Sequence, residues 1–133
     1  MKKLALLFSV VALFFIVNTA TSQTLYFCEG VNDAGNPTGE SSTFNIPRNG
    51  GYFYFLVKLP FTVECNEVYY EIYDVYSDYS ENYNTSITQE GLTKSWTWFW
   101  KKVTFYTPGY YHVYVKDCFG ATLASSYVTI NYK

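Results

Sequence analysis

Apolar and polar residues alternate with a period of two along most of this chain, and no useful stretch repeats every three or four residues. Phe53, Phe55, Val57 and Leu59 share one side of a run, with Lys58 opposite. Val68, Tyr70 and Ile72 oppose Glu71; Tyr111, Val113 and Val115 oppose His112 and Lys116; Val128 and Ile130 alternate with Thr129 and Asn131. Each run is rich in β-branched and aromatic residues and is bounded by Gly, Pro, Asn or Asp. The pattern predicts strands at Thr24–Glu29, Ser42–Ile46, Gly51–Leu59, Glu67–Val75, Tyr83–Thr88, Trp96–Tyr106, Tyr110–Lys116 and Leu123–Asn131. Turn signals separate them at Asn32–Pro37, Arg48–Gly50, Pro60, Ser77–Asn82, Glu90-Gly91, Pro108-Gly109 and Asp117–Gly120. Seven or eight such strands predict an all-β antiparallel sandwich.

The beginning of the chain follows a different rule. Met1-Lys2-Lys3 is basic, Leu4–Val17 is an unbroken apolar run of fourteen residues, and Asn18–Gln23 is small and polar. At 1.5 Å per residue the apolar run reaches about 21 Å, short of the roughly 30 Å of a bilayer core. The order fits a cleaved signal peptide over residues 1–22, with Ala20 and Ser22 as the small residues before the cut. Residues 23–133 then form one domain with no membrane span, secreted to the periplasm, the cell surface or the medium. No cysteine closely follows the apolar run, so no lipid anchor is expected there.

Composition narrows the function classes. The chain is 49% hydrophobic, 22% aromatic and 15% charged, which excludes a disordered chain and a helical bundle. Its net charge is −2, and loss of Lys2 and Lys3 leaves seven basic against eleven acidic side chains. There is no basic surplus for a nucleic-acid partner. A single histidine excludes a multi-histidine metal centre, and no cofactor is expected.

Thr107–Val115, the Asp-x-x-Gly turn at Asp117–Gly120 and the run from Leu123 to Ile130 resemble the last hairpin of bacterial immunoglobulin-like domains. The resemblance implies that Gly109 opens the penultimate strand and that Tyr111 forms a tyrosine corner. Val113 stands where antibody domains carry a cysteine, so the usual inter-sheet disulfide is missing. More loosely, the mature chain resembles uncharacterised secreted proteins of Bacteroidetes-type bacteria.

The cysteines are Cys28, Cys65 and Cys118. In an immunoglobulin-like layout Cys65 follows the second core strand and Cys118 sits in the last hairpin turn, so both loops share one end. The pairing expected is Cys28–Cys65, with Cys118 a free thiol at an exposed tip; Cys65–Cys118 competes closely. Cys28–Cys65 would close about 36 residues, worth roughly 3–4 kcal/mol in the chain-entropy treatment.

No catalytic set stands out. His112 faces away from the expected core, and although Glu71 or Asp117 lies within reach as an orienting group, no activated nucleophile accompanies it. Asp74, Asp78 and Glu81, and separately Asn32, Asp33 and Asn36, read as solvated turns; their spacing fits no EF-hand loop. Glu64, Glu67 and Glu71 show no glycosidase pairing. Asn84-Thr85-Ser86 matches a glycosylation acceptor by accident, given a bacterial-looking leader.

The most distinctive stretch is Trp96-Thr97-Trp98-Phe99-Trp100. At period two, Trp96, Trp98 and Trp100 share one face with Lys102 and Thr104, spanning about 13–14 Å, while Val103 and Phe105 face the core. Tyr69, Tyr73, Tyr110 and Tyr114 are expected outward as well. These seven residues are the candidate ligand platform, because aromatic faces suit sugars or protein partners. The reading is a non-catalytic secreted interaction module with a protein or glycan partner. One alternative is a carbohydrate-binding module; another is a secreted enzyme inhibitor acting through Pro60–Cys65 and Asp117–Gly120.

Overall fold

The computed structural model describes residues 24–133, and the expected leader lies outside them. The strands are β1 (Thr24–Cys28), β2 (Gly30–Val31), β3 (Pro37–Thr38), β4 (Thr43–Ile46), β5 (Gly51–Lys58), β6 (Val68–Val75), β7 (Glu81–Gln89), β8 (Trp98–Phe105), β9 (Gly109–Lys116) and β10 (Thr122–Tyr132). All eight expected strands are present, with ends moved by at most two residues. They form a three-stranded sheet ordered β1-β5-β8 and a five-stranded sheet ordered β4-β10-β9-β6-β7. Neighbours pair antiparallel except β4, which runs parallel to β10. The chain therefore changes sheets between β1 and β4.

The two sheets bury the alternation read from the sequence. Phe27, Phe53, Phe55, Val57, Phe99, Val103 and Phe105 of the small sheet meet Val68, Tyr70, Ile72, Tyr111, Val113, Val115, Val128 and Ile130 of the large one. The centre is aromatic: Phe53 stacks on Phe105 at 5.2 Å, and Phe55 meets the edge of Tyr70 at 5.4 Å. Such pairs add about 0.5–1.5 kcal/mol each beyond the area they bury. The Tyr111 hydroxyl donates to the Thr107 carbonyl at 2.8 Å, the tyrosine corner that the resemblance implied. A Cβ on Gly109 would lie 3.2 Å from that ring, so glycine suits the close approach.

Two features depart from expectation. Asn32–Pro37 is more than a plain turn: it is the tip of a short β2–β3 hairpin that folds back over the outer side of the small sheet. β2 lies against β5, and Lys58 Nζ donates to Asn36 Oδ1 at 2.9 Å. Beneath this cover Cys28 and Leu56 are fully buried, although both point away from the space between the sheets.

The second departure corrects the cysteine pairing. The disulfide joins Cys65 to Cys118, with Cα atoms 5.9 Å apart, and Cys28 is the free cysteine. Cys28 cannot reach Cys65 because it sits on the far side of the small sheet, its thiol directed at the Tyr54 carbonyl 3.8 Å away. Cys118 stays exposed at the hairpin tip, as expected, but is bridged to Cys65, whose Sγ also accepts from the Cys118 N–H at 3.2 Å. Burial pushes the Cys28 thiol up in pKa, which leaves it unreactive.

Thiol counting checks this arrangement: the native protein should show no reactive thiol, and the unfolded, unreduced protein one. Replacing Cys65 and Cys118 by Ala should cost about 4 kcal/mol, from a bridge spanning 53 positions, read as a lower urea midpoint.

Candidate functional site

The tryptophans lie on the outer face of the small sheet, in the register the alternation predicted. Across the strands, Trp98 opposes Lys58, Trp100 opposes Leu56 and Lys102 opposes Tyr54. Phe99, Val103 and Phe105 point into the core between them. Trp96 precedes β8 in the connection from β7; its N–H donates to the Thr93 carbonyl and its own carbonyl accepts from Val63.

The three indoles are not equivalent. A Cβ built on Gly35 falls 2.5 Å from Cδ2 and 2.6 Å from Cε2 of Trp98, so the backbone of the hairpin tip rests on that ring. Trp98 is therefore half-covered, whereas Trp96 and Trp100 are 42% and 46% exposed. Trp100 meets the Tyr54 ring edge-on at 5.3 Å. Lys102 Nζ lies 3.9 Å over the Tyr52 ring, a cation–π contact.

A cleft of about 640 Å³ opens beside this row, lined by Gln89–Gly91 and Ser95–Trp100. Gln89 forms its back wall by tying the sheets together: Oε1 accepts from the buried Tyr70 hydroxyl at 2.6 Å, and Nε2 donates to the Trp100 carbonyl at 2.8 Å. Glu90, Ser95 and Thr97 bring further polar groups to the lining. The cleft thus combines flat indole surfaces with a few convergent polar groups, the usual make-up of a small-ligand site. In the sequence Glu90 marked only a turn, and Gln89 and Ser95 carried no pattern; only the return of the β7–β8 connection places them beside the tryptophans.

The tyrosine half of the expected platform lies elsewhere. Tyr69 and Tyr73 are on β6, Tyr110 and Tyr114 on β9, and all four face outward from the five-stranded sheet, on the opposite side of the sandwich. The Tyr69 hydroxyl donates to Glu67 at 2.5 Å. Tyr110 stacks on Tyr127 at 5.4 Å, Tyr127 on His112 at 3.9 Å, and His112 lies 4.1 Å from Tyr114. Tyr73 closes the group with edge contacts to Tyr83 and Tyr114. The tyrosines and the tryptophans thus stand on different sheets, so the seven residues do not form one site.

Glu81 is the hub of that group, although the sequence marked it only as part of a solvated acidic turn. Its carboxylate accepts from His112 Nδ1 and from the Tyr114 hydroxyl, each at 2.7 Å. His112 holds the Glu81 carboxyl below its usual range, with the Tyr114 hydrogen bond acting in the same direction. Burial, reinforced by Glu81, pushes Tyr114 up. His112 is on the outer face, as expected, yet only 7% exposed, because the tyrosines cover it. The neighbouring acids point to separate partners: Asp78 to Ser80, Asp74 to Asn84. Among the described residues no three His, Cys, Asp or Glu side chains gather as a metal site.

No protein-family model matches the chain, and no curated protein sequence matches it. Among solved structures it is similar to an immunoglobulin-like protein from Pseudomonas aeruginosa, with a TM-score of 0.50 and 11% identity over 80% of this chain and 91% of that one. It also aligns with a superoxide reductase (neelaredoxin) from Ignicoccus hospitalis, with a TM-score of 0.43 and 10% identity over 88% of this chain and 86% of that one. The first likeness establishes the immunoglobulin-like sandwich and nothing of the activity. The second is too distant to carry an argument.

Two substitutions probe the geometry. Gly35→Ala, at φ +79° with no room for a Cβ, should destabilise by about 1–3 kcal/mol and change the emission of Trp98. Glu81→Gln should cost about 1–2 kcal/mol at neutral pH by weakening charge-assisted hydrogen bonds. Because folding lowers the Glu81 pKa, its contribution is complete above the ordinary glutamate value of about 4.3 and drains away as pH falls below it. Urea unfolding of wild type and variant should therefore converge in acid.

Proposed function

We propose that this protein is an exported, non-catalytic binding module and that its ligand is a glycan seated in the Trp96–Trp100 cleft. The observation that carries the reading is the lining itself. Two exposed indoles and a half-covered third stand beside Gln89, Glu90 and Ser95 in one concavity. A pyranose ring has C–H faces that pack on indole and an equatorial belt of hydroxyls that needs such polar groups. Export over residues 1–22 is supported by the leader-like order of basic, apolar and small residues, and the Cys65–Cys118 disulfide suits an oxidising compartment. The non-catalytic reading rests on His112, whose ring is held between two tyrosines and Glu81 rather than beside a nucleophile.

Titration of the exported protein against soluble β-glucan, xylan, mannan and chitin oligosaccharides, followed by tryptophan fluorescence and calorimetry, tests the proposal. Binding to at least one glycan is expected. Trp96→Ala and Trp100→Ala should each weaken it roughly tenfold, about 1.4 kcal/mol, with the far-UV dichroism unchanged. Failure to bind any of these glycans, or full affinity in the Trp96→Ala/Trp100→Ala double variant, would remove the glycan reading.

A further inference from the structure

The exposed large aromatic residues sort by chemistry. Eleven are exposed among the described residues; seven are tyrosines, and the other four are Phe61, Trp96, Trp100 and Phe119. Three of those four lie on loops at one end of the sandwich, and Trp100 lies just inside the adjoining strand. Leu59 and Val63 donate to the carbonyls of Thr97 and Trp96, which binds the Phe61 loop to the Trp96 loop. The Cys65–Cys118 disulfide binds the same loop to the turn that carries Phe119. That end therefore presents Phe119, 78% exposed, and Phe61, 45% exposed, from loops locked together.

The Phe119 turn has no unsatisfied backbone donor. Asp117 N–H donates to the Ala121 carbonyl, and Gly120 N–H to the Asp117 carbonyl. Cys118 N–H donates to Cys65 Sγ. Phe119 and Ala121 N–H both donate to Asp117 Oδ1 at 2.9 Å. A turn whose N–H groups are all paired internally loses less when water is removed from it, the condition that hydrocarbon imposes on a backbone. A protein interface instead draws on free donors and acceptors around its apolar centre, at about one hydrogen bond per 100–200 Å².

We propose that this end docks on a lipid surface, with Phe119 and Phe61 entering the interface of a zwitterionic bilayer and Trp96 at the headgroup level. Indole suits the headgroup boundary. The loop charges disfavour an anionic surface: Glu64, Glu67, Glu90 and Asp117 outnumber Lys94 and Lys116, and no basic cluster is present to draw anionic lipid. The surface shares Trp96 with the cleft, but Phe119 and Phe61 do not line the cleft, so variants at those two positions separate lipid from glycan binding.

The test is flotation of the exported protein with phosphatidylcholine vesicles, together with quenching of its tryptophans by bromine-labelled phosphatidylcholine. Wild type should float with the vesicles and be quenched; 20% phosphatidylserine should not raise the bound fraction, and 0.5 M salt should change binding to phosphatidylcholine less than about twofold. Phe119→Ser and Phe61→Ser should each reduce partitioning, and together at least tenfold, with dichroism intact. Glycan titration of the same variants separates the two readings, since the cleft should be unaffected. Absence of binding at millimolar lipid, equal binding by the double variant, or binding that requires anionic lipid and is lost in salt would each overturn the proposal. So would a discrete protein that binds this end and is lost in the Phe variants while vesicles are ignored.

Discussion

Leu56 is completely buried on the side of its strand that faces away from the core, and much of this molecule's particular character follows from that burial. A three-stranded sheet has two faces and one large sheet to pack against. β5, its central strand, is apolar on both sides, with Phe55 and Val57 inward and Leu56 outward. Leaving Leu56 in water would forfeit about 1.5–3 kcal/mol. The excursion between β1 and β4 covers it. That cover seals Cys28 beneath it, which leaves Cys65 and Cys118 to pair. Its tip can lie on Trp98 only because Gly35 has no side chain. Trp100, beyond the tip's reach, stays open to solvent beside the cleft.

The unequal sheets also leave β8 at an edge. Along it, the Thr97 carbonyl points to β5 and the Trp100 carbonyl points away, as antiparallel pairing requires. A free edge invites strand addition. Gln89 occupies the Trp100 carbonyl, Lys102 stands on the outer face, and Lys101 has the inward parity. A lysine at such an edge penalises an incoming strand. The cross-brace that closes the cleft thus also guards this edge, so strand addition at β8 is disfavoured.

Period-two alternation carries much of this architecture in the sequence. It located eight strands, and it placed Phe99, Val103 and Phe105 inward with the tryptophans outward, because side-chain parity is a property of the strand alone. Parity says which side a residue takes and nothing of what covers that side. Cys28 follows Tyr26 outward, and the hairpin that buries it is mostly Gly, Asn, Asp and Pro, indistinguishable from an ordinary turn. Parity is equally silent about sheet membership. Tyr73 and Trp100 both point outward, but from sheets on opposite sides of the sandwich, so a shared word concealed a full domain's thickness. The Glu81–His112 pair is 31 positions apart in the chain and needs the β6–β7 bulge and two strand pairings to form, none of which a local pattern records.

Tyrosine and tryptophan are therefore put to different uses on the two faces. On the large sheet a carboxylate gathers hydroxyls and an imidazole, and the rings stack on each other near 4–5.4 Å. A ring stacked at that distance has one face taken, and His112, between Tyr114 and Tyr127, has both. Tyrosine suits this role because its hydroxyl reaches an acceptor while its ring packs. Indole has one donor and no acceptor, so it cannot bridge into such a network on both sides of a proton. On the small sheet Trp100 meets its neighbour edge-on, Trp96 stands on a tethered loop, and neither ring is stacked face to face. Exposed apolar area that the fold does not use is the surface on which recognition can be built.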